Sequence, residues 1–234
     1  MSDLDEQVAE RLAAVRERVR RAGGDEVRIV GVTKGRPAEY ARAALAAGLT
    51  DLGENYAQEL VGKAHEVGVG GGAGSLAVPG TIGPTWHFVG RLQSNKVRSL
   101  VPIVALYQSV DRASLVDELA RRAPGARVLV QVDLAGIPGR GGCQPDRAAD
   151  LVERATGAGL EVEGLMGVAP PADHARVDDR TEVAASFARL RSIRDDLGLR
   201  ELSMGMTGDL EEAVAEGATI VRIGTALFGP RPVR

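Results

Sequence analysis

No apolar run in this chain approaches the roughly 18 residues that span a bilayer, and it has a single cysteine, Cys143. The first absence excludes a transmembrane helix. The second excludes an internal disulfide and points to a reducing cytoplasm. The N-terminus, Met1-Ser2-Asp3-Leu4-Asp5-Glu6, is acidic where a secretory leader is basic and then apolar. Basic residues do not cluster either: formal net charge is −3, with acids and bases interleaved, which speaks against a nucleic-acid surface. What remains is an ordinary globular composition, 44% apolar and 26% charged, in 234 residues, enough for one full-sized core. A soluble cytoplasmic protein is expected.

Lysine is also scarce. Lys34, Lys63 and Lys96 stand against twenty-six arginines. Where positive charge alone suffices, this chain uses arginine, so a retained lysine hints at a task that needs an amine. A guanidinium stays protonated and cannot attack a carbonyl; a partly desolvated lysine can form a Schiff base. Lys34 ends the run Val27–Thr33, which reads as a buried strand, and precedes Gly35-Arg36-Pro37. Lys63 falls on a helix and is expected to be solvated, and Lys96 reads as a helix-surface residue.

An amphipathic helix over residues 3–22 opens the chain, with Leu4, Val8, Leu12, Val15 and Val19 on one face. Ser2 and Asp5 form a capping-box signal. Eight apolar runs follow, at Val27–Thr33, Leu49–Leu52, Thr85–Val89, Ile103–Ser109, Arg127–Val132, Leu160–Val168, Glu201–Met204 and Ala218–Ile223. Amphipathic stretches separate them, which indicates a parallel α/β protein. Eight strands predict a single-domain (β/α)8 TIM barrel, with an open doubly wound sheet as the alternative. No G-x-G-x-x-G follows the first strand, which weakens a dinucleotide reading. The Gly-rich segment 68–84 reads as a flexible surface loop.

Barrel active sites lie at the C-terminal ends of the strands, with phosphate often held after strands seven and eight. The candidates are then Lys34, the Gly53-Glu54-Asn55-Tyr56 turn, Gly205-Met206-Thr207-Gly208-Asp209 and Gly224-Thr225-Ala226. Helix starts with glycine and hydroxyl residues make phosphate cradles; each loop taken alone is also explained as a helix cap or a packing glycine. Arg222 alternates with Val221 and Ile223, so it points either into the barrel toward the site or outward to a helix carboxylate. His87 is expected to pack beneath the site, and Cys143 to be a passive surface thiol. An amine and a phosphate cradle in one pocket, with no metal-ligand pattern, suggest a phosphorylated aldehyde. Pyridoxal 5′-phosphate (PLP) fits, and so does a phosphorylated aldose on a lysine aldolase.

Five segments in order resemble the YggS/PROSC family of pyridoxal phosphate homeostasis proteins. They are Val32-Thr33-Lys34, Gly53–Glu59, Trp86–Lys96, Leu202–Asp209 and Val221–Gly229. The likeness runs from Val27 to Arg231. It implies a barrel like the N-terminal domain of alanine racemase (fold-type III), binding PLP as an internal aldimine on Lys34. By the same resemblance Asn55 lies near the ring, and Ser203 and Thr207 supply hydroxyls around the phosphate. Gly224 and Thr225 clamp the phosphate, and Arg222 faces the pyridine nitrogen. Arg91, where many members have histidine, and Gly139-Arg140-Gly141-Gly142-Cys143, in place of a lysine-containing loop, depart from the family pattern, as does the long 68–84 segment.

The resemblance implies PLP homeostasis without established turnover, with PLP-dependent apo-enzymes as recipients. An arginine opposite the pyridine nitrogen cannot accept its proton and leaves the ring a weak electron sink. The racemase's tyrosine base comes from a C-terminal domain, expected to be absent because the chain ends just after strand eight; Tyr40, Tyr56 and Tyr107 carry no signal for that role. A low-activity racemase is the alternative, and a monomer is expected.

Overall fold

The computed structural model describes residues 2–69, 83–137, 139–171 and 177–230. Most of the Gly-rich segment, residues 70–82, lies outside the described residues. The elements alternate as the apolar periodicity dictates. They run α1 (Asp3–Arg21), β1 (Arg28–Val32), α2 (Ala38–Ala46), β2 (Asp51–Glu54), α3 (Ala57–Val67), β3 (Thr85–Phe88) and α4 (Val97–Leu100). After these come β4 (Val104–Val110), α5 (Ala113–Arg122), β5 (Arg127–Asp133), α6 (Ala148–Gly157), β6 (Glu161–Val168) and α7 (Val177–Asp196). The chain then forms β7 (Glu201–Ser203), α8 (Leu210–Ala215), β8 (Ile220–Ile223) and α9 (Thr225–Phe228).

Each strand pairs in parallel with the next, and β8 returns to β1 through Arg28↔Ile220 and Val30↔Arg222, so the sheet is a closed eight-stranded barrel. Closure leaves no free edge and rules out the open doubly wound alternative. Period-2 alternation divides the core. Val30, Leu106, Leu129, Met166 and Ile220 fill the barrel interior, while Ile29, Val221 and Ile223 join the larger shell between sheet and helices. Each fully buried aliphatic side chain of this kind stabilises the fold by about 1.5–3 kcal/mol. Arg222 falls between Val221 and Ile223 and therefore belongs to the interior.

The α1 helix has a complete capping box: Asp5 N–H donates to Ser2 Oγ (3.2 Å) and Ser2 N–H to Asp5 Oδ2 (2.7 Å). Its apolar face buries Val8, Leu12, Val15 and Val19. From that helix Arg18 forks onto Glu211 (2.7 and 2.8 Å) and donates to the Thr207 carbonyl (3.1 Å), so α1 tethers the loop after β7. The α7 helix opens with Val177-Asp178-Asp179-Arg180, a mostly charged run. No helix among the described residues is long and apolar enough to cross a membrane.

Candidate functional site

At the C-terminal mouth of the barrel the loops after the strands enclose a cleft of about 520 Å³. Lys34, half-buried, lines it from the turn after β1, where Gly35 takes φ +70°, a conformation that disfavours any side chain. The peptide groups on either side of Lys34 are held by one buried side-chain cluster. Lys63 Nζ donates to the Thr33 carbonyl (2.7 Å) and ion-pairs with Glu54, while Thr33 Oγ1 donates to the same carboxylate (2.7 Å). Gly35 N–H donates to Glu59 Oε2 (2.7 Å), which also lies 3.6 Å from Lys63 Nζ. Glu54 accepts from Asn55 N–H as well (3.2 Å), so the cluster joins the Lys34 turn to the Asn55 turn. Burial pushes the Glu54 carboxyl above its ordinary range, against the opposing pull of the Lys63 ammonium and the Thr33 hydroxyl.

Lys63 therefore corrects the expectation of a solvated helix lysine: it is 5% exposed. It lies one helical turn beyond Glu59 on the α3 face toward β2, opposite a fully buried Glu54. Glu54, just past the Leu49–Leu52 run, was the available signal, because a buried carboxylate needs a cation.

Arg222 points inward from β8 and is 5% exposed, yet it lines the cleft. Nη1 donates to Ser203 Oγ (2.7 Å) and Nη2 to the Gly167 carbonyl (2.8 Å). Among the described residues no carboxylate ion-pairs with it. Burial pushes its guanidinium down to about 10, which leaves it charged at neutral pH. The outward alternative, pairing with a helix carboxylate, is thereby excluded.

The loops after β7 and β8 meet, as Ala226 N–H donates to Thr207 Oγ1 (3.2 Å). A hydroxyl that accepts this bond still has its proton to donate to a ligand. Asp209 Oδ1 accepts from Met206 N–H (2.5 Å) and closes the first loop. Thr207, Gly208, Gly224 and Thr225 all line the cleft. Of the seven residues expected around a cofactor, Lys34, Asn55, Thr207, Arg222, Gly224 and Thr225 line this cleft, and Ser203 does not. Its fully buried hydroxyl lies below Arg222, donating to Gln108 Oε1 (2.7 Å).

Other lining residues were given no role by the sequence: Gln131, Leu134, Met166 and Val168 among them. They come from strands and loops far apart in sequence, brought together only by closure of the barrel. Lys96 is half-buried in a separate groove of about 1010 Å³ that shares Asn55 and Arg91 with the cleft. His87 is buried in the barrel, as expected. Cys143 is half-buried rather than on the surface, because its backbone pairs with Gln131 and Asp133 of β5; burial pushes its thiol up to about 11. A half-buried amine, a buried cation without a carboxylate partner and a hydroxyl-bearing double loop fit a phosphorylated aldehyde.

The alanine racemase N-terminal domain family matches residues 5–232. The pyridoxal phosphate homeostasis protein of Pseudomonas aeruginosa is 39% identical over 240 residues, covering 99% of this chain and 97% of that protein. PipY of Synechococcus elongatus PCC7942, solved with PLP bound, is 35% identical with a TM-score of 0.77, over 95% of this chain and 100% of that one. An alanine racemase of Clostridium difficile 630 shares the fold at a TM-score of 0.74 and 15% identity, over 97% of this chain and 58% of that one. The chain therefore belongs to the alanine racemase N-terminal domain family and, within it, to the pyridoxal phosphate homeostasis proteins.

Proposed function

We propose that this protein binds PLP at the barrel mouth and takes part in PLP homeostasis, holding the cofactor and releasing it to apo-enzymes rather than turning over a substrate. The observation that carries this reading is the convergence of Lys34, Arg222 and the two loops after β7 and β8 in one cleft. Lys34 supplies the amine that holds the aldehyde as a Schiff base. Thr207, Gly208, Gly224 and Thr225 would hold the phosphate, and Asn55 and Arg222 would contact the ring, all of them lining the cleft. Ser203 acts through Arg222, since its hydroxyl is engaged below that residue.

When bound, PLP supplies an electrophilic aldehyde and an electron sink. Arg222 limits the second property: a guanidinium only donates, so it does not stabilise a protonated pyridine nitrogen. Racemisation also requires a base on each face of the substrate. None of the three tyrosines lines the cleft. Tyr107 is buried with its hydroxyl pushed above its ordinary range, Tyr40 packs on Phe228, and Tyr56 lines the neighbouring groove.

Absorption spectra of wild type and Lys34→Ala, each incubated with PLP and then treated with borohydride, test the reading. A visible band that borohydride abolishes in wild type and that is missing from the variant is the expected result. A wild type that stays colourless with PLP overturns it in favour of the lysine aldolase. Exchange of amino-acid α-protons in deuterated water would instead establish a racemase.

A further inference from the structure

Five polar side chains cross the barrel interior in hydrogen-bond contact, from Arg222 in the cleft to Asp51 at the N-terminal end of β2. Arg222 Nη1 lies 2.7 Å from Ser203 Oγ, and Ser203 Oγ lies 2.7 Å from Gln108 Oε1. Gln108 Nε2 lies 2.9 Å from His87 Nδ1, and His87 Nε2 lies 2.9 Å from Asp51 Oδ1. His87, Gln108 and Ser203 are at most 1% exposed. They come from β3, β4 and β7, beside the apolar interior residues Val30, Leu106, Leu129, Met166 and Ile220.

The direction of every proton in this chain follows from its first member. A guanidinium only donates, so Ser203 Oγ accepts from Arg222 and must direct its own proton onward to Gln108 Oε1. That fixes the amide: Nε2 of Gln108 faces His87 and donates to Nδ1. Nδ1 is therefore bare, and the ring carries its proton on Nε2, where Asp51 accepts it. With the amide turned over, Ser203 Oγ would face two donors, and neither could accept its hydroxyl proton. Burial opposes ionisation of Asp51, but the hydrogen bond from His87 holds its carboxyl below the ordinary range.

We propose that Ser203, Gln108, His87 and Asp51 are positioning residues for Arg222. Together they form a one-directional hydrogen-bond chain that locks His87 as the neutral Nε2–H tautomer and fixes which edge of the guanidinium faces the cleft. The fixed edge is what the pyridine nitrogen of a bound cofactor meets, a consequence that rests on the function proposed above. The tautomer does not rest on it, because it belongs to the ligand-free protein. His87 thus has a task beyond packing, although it touches no ligand.

The first measurement is the long-range proton–nitrogen NMR spectrum of the ligand-free protein near neutral pH. The chain has three histidines, and His87→Asn identifies the signal. The expected spectrum shows a protonated Nε2 and a bare Nδ1. A proton on Nδ1, or averaging between tautomers, overturns the proposal. The second measurement is PLP affinity and the absorption maximum of the bound cofactor. Gln108→Leu and His87→Leu are expected to weaken binding roughly tenfold and to displace the band. His87→Asn places an amide oxygen where Nδ1 stood and is expected to restore both toward wild type. Leucine variants with wild-type melting, affinity and spectrum would refute the positioning role, as would His87→Asn behaving like His87→Leu. A wild type that takes up no PLP while showing the expected tautomer removes the proposed function and leaves the hydrogen-bond chain intact.

Discussion

Replacing Lys63 by methionine keeps the aliphatic stem and deletes one charge from the cluster beneath Lys34. Removing one partner of a buried ion pair costs about 3–5 kcal/mol, because the other charge is left unpaired in low dielectric. Glu54 would retain two donors, the Thr33 hydroxyl and the Asn55 N–H. The lower end of that range therefore applies, about 3 kcal/mol, or a melting point lower by about 6–12 °C in a domain of this size. Urea unfolding followed through the sole tryptophan, the fully buried Trp86, measures it directly. The pH dependence has a definite sign. A carboxyl raised by burial binds its proton more tightly folded than unfolded, so stability increases as pH falls from its folded pKa toward the ordinary glutamate value. Without the ammonium that opposed the shift, the variant's deficit should shrink on mild acidification. Glu54→Gln combined with Lys63→Met removes both charges and should recover much of the loss. A deficit under about 1 kcal/mol, the range of an exposed pair, would refute the reasoning, as would strict additivity in the double variant.

Local geometry gives three more predictions, two on glycines and one on the thiol. A Cβ on Gly90 would lie 2.2 Å from the Asn55 carbonyl oxygen and 2.6 Å from its Cα, both unyielding backbone atoms. Gly90→Ala should therefore cost about 1–3 kcal/mol in thermal melts and weaken PLP binding. By contrast Gly62→Ala in α3, with nothing within 4 Å of the added carbon, should stabilise by about 0.5–1 kcal/mol. The Cys143 thiol, pushed up to about 11, should react with Ellman's reagent roughly a hundredfold slower than an unperturbed thiol near neutral pH, and rapidly once unfolded. Fast reaction of the folded protein would contradict its burial.

The barrel was legible because apolar periodicity is a local property: all eight strand runs match, with boundaries displaced by one or two residues. Lys34 and Arg222 were legible for the same reason, each being a charge set into an apolar strand pattern. The direction of Arg222 was not, since alternation allows both faces until the barrel closes. Ser203 illustrates the complementary limit. Its position at the end of β7 resembles a phosphate hydroxyl, but inward alternation on a three-residue strand places it one layer deeper. Helical spacing alone cannot show that the Lys63 face meets a buried carboxylate on another element.

The scarcity of lysine gains a physical meaning once these environments are compared. Arginine is used where a planar fork meets a carboxylate at or near the surface, as in Arg18 on Glu211 and Arg154 on Asp117, both bidentate. The site at Lys63 is different: the Thr33 carbonyl, the Glu54 carboxylate and, farther off, Glu59 converge on a single point from separate elements. A compact tetrahedral ammonium satisfies that arrangement, whereas a guanidinium would project its donors in one plane and need more room than the cluster leaves. At Lys34 the requirement is chemical, because only an amine that can shed its proton forms the bond the proposed function needs. The two lysines are therefore retained for different reasons, geometry at one and reactivity at the other. The first holds the turn that presents the second.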